Sequence, residues 1–105
     1  MISMETLFRK VFGDTPKVRV LEFLLEGREL DYSISDIAEG AEIGRTTLFR
    51  IWNDLIKAKI IIPTRQIGNA KLYKLDLENN FVGKLVEIFD AIIMPKKKVV
   101  AHQVA

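Results

Sequence analysis

The stretch Ile37-Ala38-Glu39-Gly40-Ala41-Glu42-Ile43-Gly44-Arg45-Thr46-Thr47-Leu48-Phe49-Arg50-Ile51 changes character midway. Upstream, Ile37, Ala38 and Ala41 are spaced to share one face of a helix. Downstream, Leu48, Ile51, Trp52 and Leu55 recur at i, i+3, i+4 and i+7, which predicts a longer helix from Arg45 to about Ala58. Between them Glu42 to Gly44 reads as a turn. The small Ala38 sits where two crossing helices need close approach. The stretch therefore predicts two helices meeting across a tight turn.

Working outward, Ser33-Ile34-Ser35-Asp36 has capping-box spacing, with Asp in place of the usual Glu. A polar turn precedes it. Further upstream, Asp14-Thr15-Pro16 is a start signal: Thr15 caps, and Pro16 occupies the first helical position, where its missing N–H costs nothing. That helix is expected to run to about Glu26, with Val18, Leu21, Leu24 and Leu25 inward and Gly27 as its stop. Met4, Leu7, Phe8 and Val11 predict a short amphipathic helix from Met4 to Phe12. Downstream of the quoted stretch the period changes. Ile60-Ile61-Ile62 is β-branched, Lys71 to Asp76 alternates, and Gly68-Asn69 carries turn chemistry. A β-hairpin from about Lys59 to Leu77 follows, with Pro63 weakening its first strand or placing it at an edge. A last helix is expected over Asn80 to Met94, closed by Pro95. Residues 1–94 thus read as one domain with its core at 14–77, and residues 95–105 as a basic, flexible tail. Within the tail, Lys96-Lys97-Lys98 reads as a solvated end and the lone histidine, His102, as uncommitted.

The order helix, helix, helix, hairpin, helix resembles a winged helix-turn-helix domain over about Asp14 to Leu77, with an extra helix on each side. The fold class is mostly α with a small β-hairpin (α+β). Ile37, Ile43, Leu48 and Ile51 stand at the apolar positions of that family. Two positions depart from its pattern: Glu42 stands where Gly is usual, and Gly44 stands where many members have Ser or Thr, though Gly is an acceptable cap. The wording Asp-Thr-Pro, Asp-Ile-Ala-Glu and Arg-Thr-Thr-Leu is similar to small archaeal winged-helix transcription regulators. The resemblance implies double-stranded DNA as partner, with the second helix of the pair in the major groove and the hairpin, or wing, on the backbone or minor groove.

Charge placement supports that partner. The net charge is only +2, but Val20 to Glu42 carries seven acids against the single base Arg28. Ile43 to Lys74 carries seven bases against Asp54 alone. The basic block coincides with the expected recognition helix and wing. Outward positions of the helix are Arg45, Thr46, Phe49, Arg50 and Asn53, and these are the expected reading surface. Arginine reads guanine bidentately, and Thr or Phe meets a thymine methyl. Phe49 has two readings at this point, against DNA or packed under the wing. In the hairpin Arg65, Gln66, Asn69 and Lys71 surround the tip and are expected on phosphates, which give affinity without sequence information.

The last helix is too apolar for one buried face. Ten of the fourteen residues from Phe81 to Met94 are apolar, more than the stripe that a helix needs to cover one side of a small domain. A homodimer through the terminal helices is expected, with Leu7, Phe8, Phe12, Phe81, Leu85, Ile88, Phe89 and Ile92 at the interface. Coverage of the second stripe by the first helix, within one chain, is the alternative.

Composition excludes several functions. The 105 residues contain no cysteine and one histidine. Thiol chemistry, histidine-based metal centres and a Ser-His-Asp triad lack their parts, so no catalytic residue, no metal and no cofactor is expected. No apolar run is long enough to span a bilayer and the N-terminus lacks the signature of a signal peptide, so the expectation is a cytoplasmic protein without a membrane partner. A small apolar effector between the domain and the terminal helices stays open. The competing function is a winged helix used as a protein-interaction module, which would present a neutral or apolar recognition face.

Overall fold

The computed structural model describes residues 6–93. Seven elements follow in chain order: α1 (Leu7–Phe12), α2 (Pro16–Glu26), α3 (Ile34–Ala41), α4 (Arg45–Lys57), β1 (Ile61–Ile67), β2 (Ala70–Leu75) and α5 (Asn80–Ile93). The expected contributions of Met4 and Met94, and the whole basic tail with His102, lie outside the described residues.

Local chemistry accounts for most boundaries. The Thr15 hydroxyl accepts from the Val18 N–H, and Pro16 opens α2. At α3, Ser33 Oγ accepts from Asp36 N–H (3.1 Å) and Asp36 Oδ2 accepts from Ser33 N–H (3.3 Å), a complete capping box. Thr6 caps the first helix, accepting from Arg9 N–H, so α1 begins at Leu7 and is shorter than its apolar spacing suggests. Asn79 accepts from the N–H groups of Phe81 (2.8 Å) and Val82 (3.3 Å) and donates to Lys59 O (2.8 Å), fixing the start of α5 to the end of α4.

The α3–α4 turn settles the Glu42 departure. Glu42 adopts the left-handed conformation, φ 59° and ψ 46°. Its N–H reaches Glu39 O (3.1 Å) and Ile43 N–H reaches Ala38 O (3.0 Å), the two bonds of a Schellman ending. A Glu thus does what Gly does at lower cost. Lys59 repeats the arrangement after α4, with φ 59° and bonds from Lys59 N–H to Ile56 O and from Ile60 N–H to Leu55 O. Because the left-handed region costs a side-chain-bearing residue about 1–2 kcal/mol, Glu42→Gly is expected to stabilise the fold by about 1 kcal/mol. A thermal melt should then rise by about 4–8 °C, the response of a domain this size. The Glu42 carbonyl that accepts from Arg19 (3.3 Å) is kept in that variant.

Gly40, near the end of α3, is glycine for a packing reason. A Cβ there would lie 2.1 Å from the Phe23 ring of α2. Side-chain absence lets α2 and α3 cross closely.

Strands β1 and β2 pair antiparallel, with Ile61 opposite Leu75 and Ile67 opposite Ala70. Gly68, at φ 60°, occupies the first of two turn positions, where a type II′ hairpin needs it. The pairing slips between Pro63 and Arg65, so Thr64 is bulged beside the proline that cannot donate to a ladder. Tyr32, in what reads as a polar turn, pairs with Tyr73 through two reciprocal backbone bonds of 2.8 Å. This anchors the hairpin to the segment before α3.

The core gathers Val20, Leu24 and Leu25 of α2, Ile37, Ala38 and Ala41 of α3, Leu48, Trp52 and Leu55 of α4, Ile61 and Leu75 of the hairpin, and Phe8, Val82, Leu85 and Phe89 of the terminal helices. Val18 and Leu21, expected inward, are half-buried, while Val20 and Glu22 are buried. Helix α2 packs against α1, α3 and α4, so its buried arc is wider than one stripe. Glu22 is 2% exposed. Arg9 Nε donates to its Oε1 at 2.7 Å, a buried pair that ties α1 to α2. Of the apolar face read for the first helix, Leu7 and Val11 are exposed: α1 has six residues and buries only Phe8.

Candidate nucleic-acid interface

Helix α4 presents opposite faces to the core and to solvent. Leu48, Trp52 and Leu55 are buried, while Arg45, Thr46, Phe49, Arg50 and Asn53 are all exposed. The structure thus brings the five expected recognition residues onto one free face. Phe49 is 51% exposed, so it does not pack beneath the wing. The Arg45 guanidinium carbon instead lies 5.9 Å from the Phe49 ring centroid, a cation–π stack that steadies both side chains. Thr47 is half-buried and belongs to packing. Gly44 caps α4 without a side-chain acceptor, so no side chain competes for the N–H groups of its first turn.

Trp52 sets the wing against this helix. Its ring meets Tyr73 of β2 edge-on, with centroids 5.0 Å apart and planes at 88°. Tyr73 is also the residue that pairs with Tyr32. One aromatic contact and one backbone pair therefore fix the hairpin relative to α4.

The four wing residues are all exposed, but they are not equivalent. Arg65 makes a two-pronged pair with Asp31, Nε to Oδ2 at 3.0 Å and Nη2 to Oδ1 at 3.2 Å. Thr64 Oγ1 adds a 2.6 Å bond to the same carboxylate. Gln66 Nε2 donates to Gly68 O at 3.0 Å and braces the turn. Asn69 and Lys71 carry no such tie among the described side-chain bonds. The expectation of a freely reaching Arg65 is therefore modified: its guanidinium is already held by a carboxylate thirty-four residues away in sequence. Hydrogen bonds from Arg65, then Thr64, hold the Asp31 carboxyl from an ordinary 3.8 down to about 2. The folded value lies below the unfolded one, so this pair stabilises the fold fully above the ordinary carboxylate value. Its contribution is lost as the pH falls through about 2. Melting temperatures of wild type and Arg65→Gln should differ at neutral pH and converge on acidification through that window.

Of the charges facing α4 from elsewhere, Lys17 Nζ lies 3.2 Å from Asp54, the one acid in the basic segment. Arg19 is committed to Asp14, whose carboxyl its hydrogen bond holds below the usual range.

The residues expected at a dimer interface divide into two groups. Phe8, Leu85 and Phe89 are buried within the chain, and Phe8 meets Phe89 edge-on at 5.4 Å. Leu7, Phe12, Phe81 and Ile88 stay exposed, and Ile92 is half-buried. Val11 and Ile93 are exposed apolar residues as well.

Among the described residues no group of three or more His, Asp or Glu is placed to hold a metal ion. Among the same residues no helix is long and apolar enough to cross a membrane.

No known family profile matches the chain, and no curated protein is significantly similar to it in sequence. Solved structures do share its fold. A mutant of MepR from a multidrug-resistant S. aureus clinical isolate matches with a TM-score of 0.60 at 20% identity, over 93% of this chain and 72% of that one. NadR in complex with 4-hydroxyphenylacetate matches with a TM-score of 0.60 at 17% identity, over 92% and 77%. Sso10a-2, a DNA-binding protein from Sulfolobus solfataricus, matches with a TM-score of 0.51 at 17% identity, over 83% and 94%. At these identities the likeness is one of architecture: five helices and an antiparallel hairpin arranged as a winged helix with additional terminal helices.

Proposed function

We propose that this chain is a sequence-specific DNA-binding transcription regulator, non-enzymatic and cytoplasmic, with α4 in the major groove and the β1–β2 wing on the flanking backbone. One observation carries the reading. The segment that concentrates seven bases against one acid is the segment that the fold presents as an exposed helix face and an adjacent hairpin. A protein-interaction module would have no need to sort its charge this way. The likeness to Sso10a-2, described as a DNA-binding protein, agrees with it.

Arg50, Thr46, Phe49 and Asn53 are the residues assigned to base edges. Arg50→Ala should relax specificity at one base pair, at a cost of about 1–3 kcal/mol on the cognate site. The exposed apolar residues Leu7 and Phe12 of α1 and Phe81 and Ile88 of α5 support a homodimer, because large apolar side chains left in water on a small domain favour an interface. A two-fold pair of α4 helices about 34 Å apart would read a palindrome on one face of DNA.

Selection of bound sequences from random duplex DNA, at stated salt, tests this. A palindromic motif is the expected result. No enrichment, with weak binding even at low salt, would favour the protein-interaction reading.

A further inference from the structure

A cleft of about 320 Å³ opens between α4, the N-terminal turn of α3 and the tip of the wing. Its walls include Arg45 from α4, Asn69 and Lys71 from the wing, and Ser33 and Ser35 from α3; no Asp or Glu lines it. The strand register explains why Lys71 is there. Side chains alternate along β2, so Lys71 shares a face with Tyr73, and Tyr73 is the residue whose ring meets Trp52 of α4. Lys71 therefore faces α4. Arg65 stands opposite Leu72, on the other face of the hairpin, where Asp31 holds it. Of these two wing cations, the fold delivers only Lys71 to the cleft. Arg45 reaches the opposite wall from the first position of α4, steadied over Phe49. The Asp36 carboxylate nearby is turned to the Ser33 N–H in the capping box.

Two cations and two hydroxyls around an acid-free space suit a singly charged tetrahedral anion. The place of the cleft says which one. If α4 occupies the major groove and the wing the adjacent minor groove, the sugar-phosphate strand dividing those grooves runs between them. We propose that this cleft seats a phosphodiester of that strand, with Arg45 and Lys71 as its cations and the Ser35 hydroxyl as a neutral donor. The proposal rests on the DNA-binding reading and deepens it. It gives Arg45 a sequence-neutral task in place of base reading, and it brings α3 into the interface.

Binding of the full chain to a short duplex of random sequence, followed by fluorescence anisotropy across a salt series, tests it. Lys71→Gln and Arg45→Gln should each flatten the slope of log K against log salt by about 0.9, the loss of one phosphate contact. Arg65→Gln, on the other face, should leave the slope unchanged. Ser35→Glu puts a carboxylate into the seat and should weaken binding about tenfold or more through like-charge repulsion. An acid in the first turn of α3 favours the helix, so its melting temperature should not fall. If the wild type binds while Lys71→Gln and Ser35→Glu match it in slope and affinity, the seat is overturned and the DNA-binding reading stands. A wild type that binds no duplex overturns both. Inorganic phosphate at fixed ionic strength should displace the duplex from the wild type and not from Lys71→Gln, because both ligands need the same seat; phosphate that binds through Lys71 without displacing the duplex would assign the cleft to a free anion and overturn the backbone seat.

Discussion

Trp52→Ala is expected to cost about 3–5 kcal/mol of stability, the range for removing a buried large aromatic side chain. Trp52 is 8% exposed and is the one α4 side chain in aromatic contact with the wing. Its loss leaves a cavity beneath the exposed face of α4. It also releases Tyr73, and with it the pair that joins the hairpin to the segment before α3. A small domain has about 5–15 kcal/mol in total, so the variant should be only marginally folded at room temperature. Urea unfolding measures this as a large drop in midpoint. Trp52→Phe keeps a ring at the same place and should recover most of the loss. If Trp52→Ala unfolds near the wild-type midpoint, the described coupling of α4 to the wing is wrong.

Phe89→Ala should be comparably damaging, at about 3–5 kcal/mol, whereas Ile88→Ser, one residue earlier, should leave protomer stability nearly unchanged. The two residues point to different partners. Phe89 is buried against Phe8, so it holds α1 to α5 within one chain. Ile88 is exposed on a neighbouring face of the same helix, about 100° around from Phe89, among the residues assigned to the homodimer. Surface substitutions away from special features are usually within about 0.5 kcal/mol, which leaves association as the property that Ile88→Ser changes. Sedimentation should show the variant shifted toward monomer at concentrations where the wild type is dimeric. A wild type that sediments as a monomer at high concentration would contradict the dimer. A destabilised protomer in Ile88→Ser would place that residue in the core.

These contrasts also show where sequence reasoning holds. Thr15-Pro16, Ser33 with Asp36, and Gly68 are legible because each acts on groups within three residues of itself. The face of α4 is legible because its apolar period runs over three turns. What escaped reading depends on distant partners. Gly40 is small because of the Phe23 ring, on another helix. Tyr32 is a sheet residue only because Tyr73 is there to pair with it. Glu42 breaks the local preference for Gly at a left-handed position, and no local pattern announces that a Glu will accept it. The buried Glu22 looks like one more acid in an acidic stretch until Arg9 is brought to it. The same holds at the candidate interface. Composition marks Arg65 and Lys71 as equal wing cations, but strand register puts them on opposite faces and Asp31 occupies one of them. For the terminal helices, the excess of apolar residues on α5 was legible; which of them α1 would cover was not, because that follows from the shortness of α1.

The central claim is that α4 and the wing form one DNA-binding face. Mapping amide chemical shifts of the full chain on addition of duplex DNA tests it most directly. The account predicts shifts that cluster on Arg45, Thr46, Phe49, Arg50 and Asn53, on Asn69 and Lys71, and on Ser33 and Ser35, and that fade as salt is raised. The exposed side of α5 around Phe81 and Ile88 should stay silent. Shifts centred on α5, or none at low salt, would contradict the account.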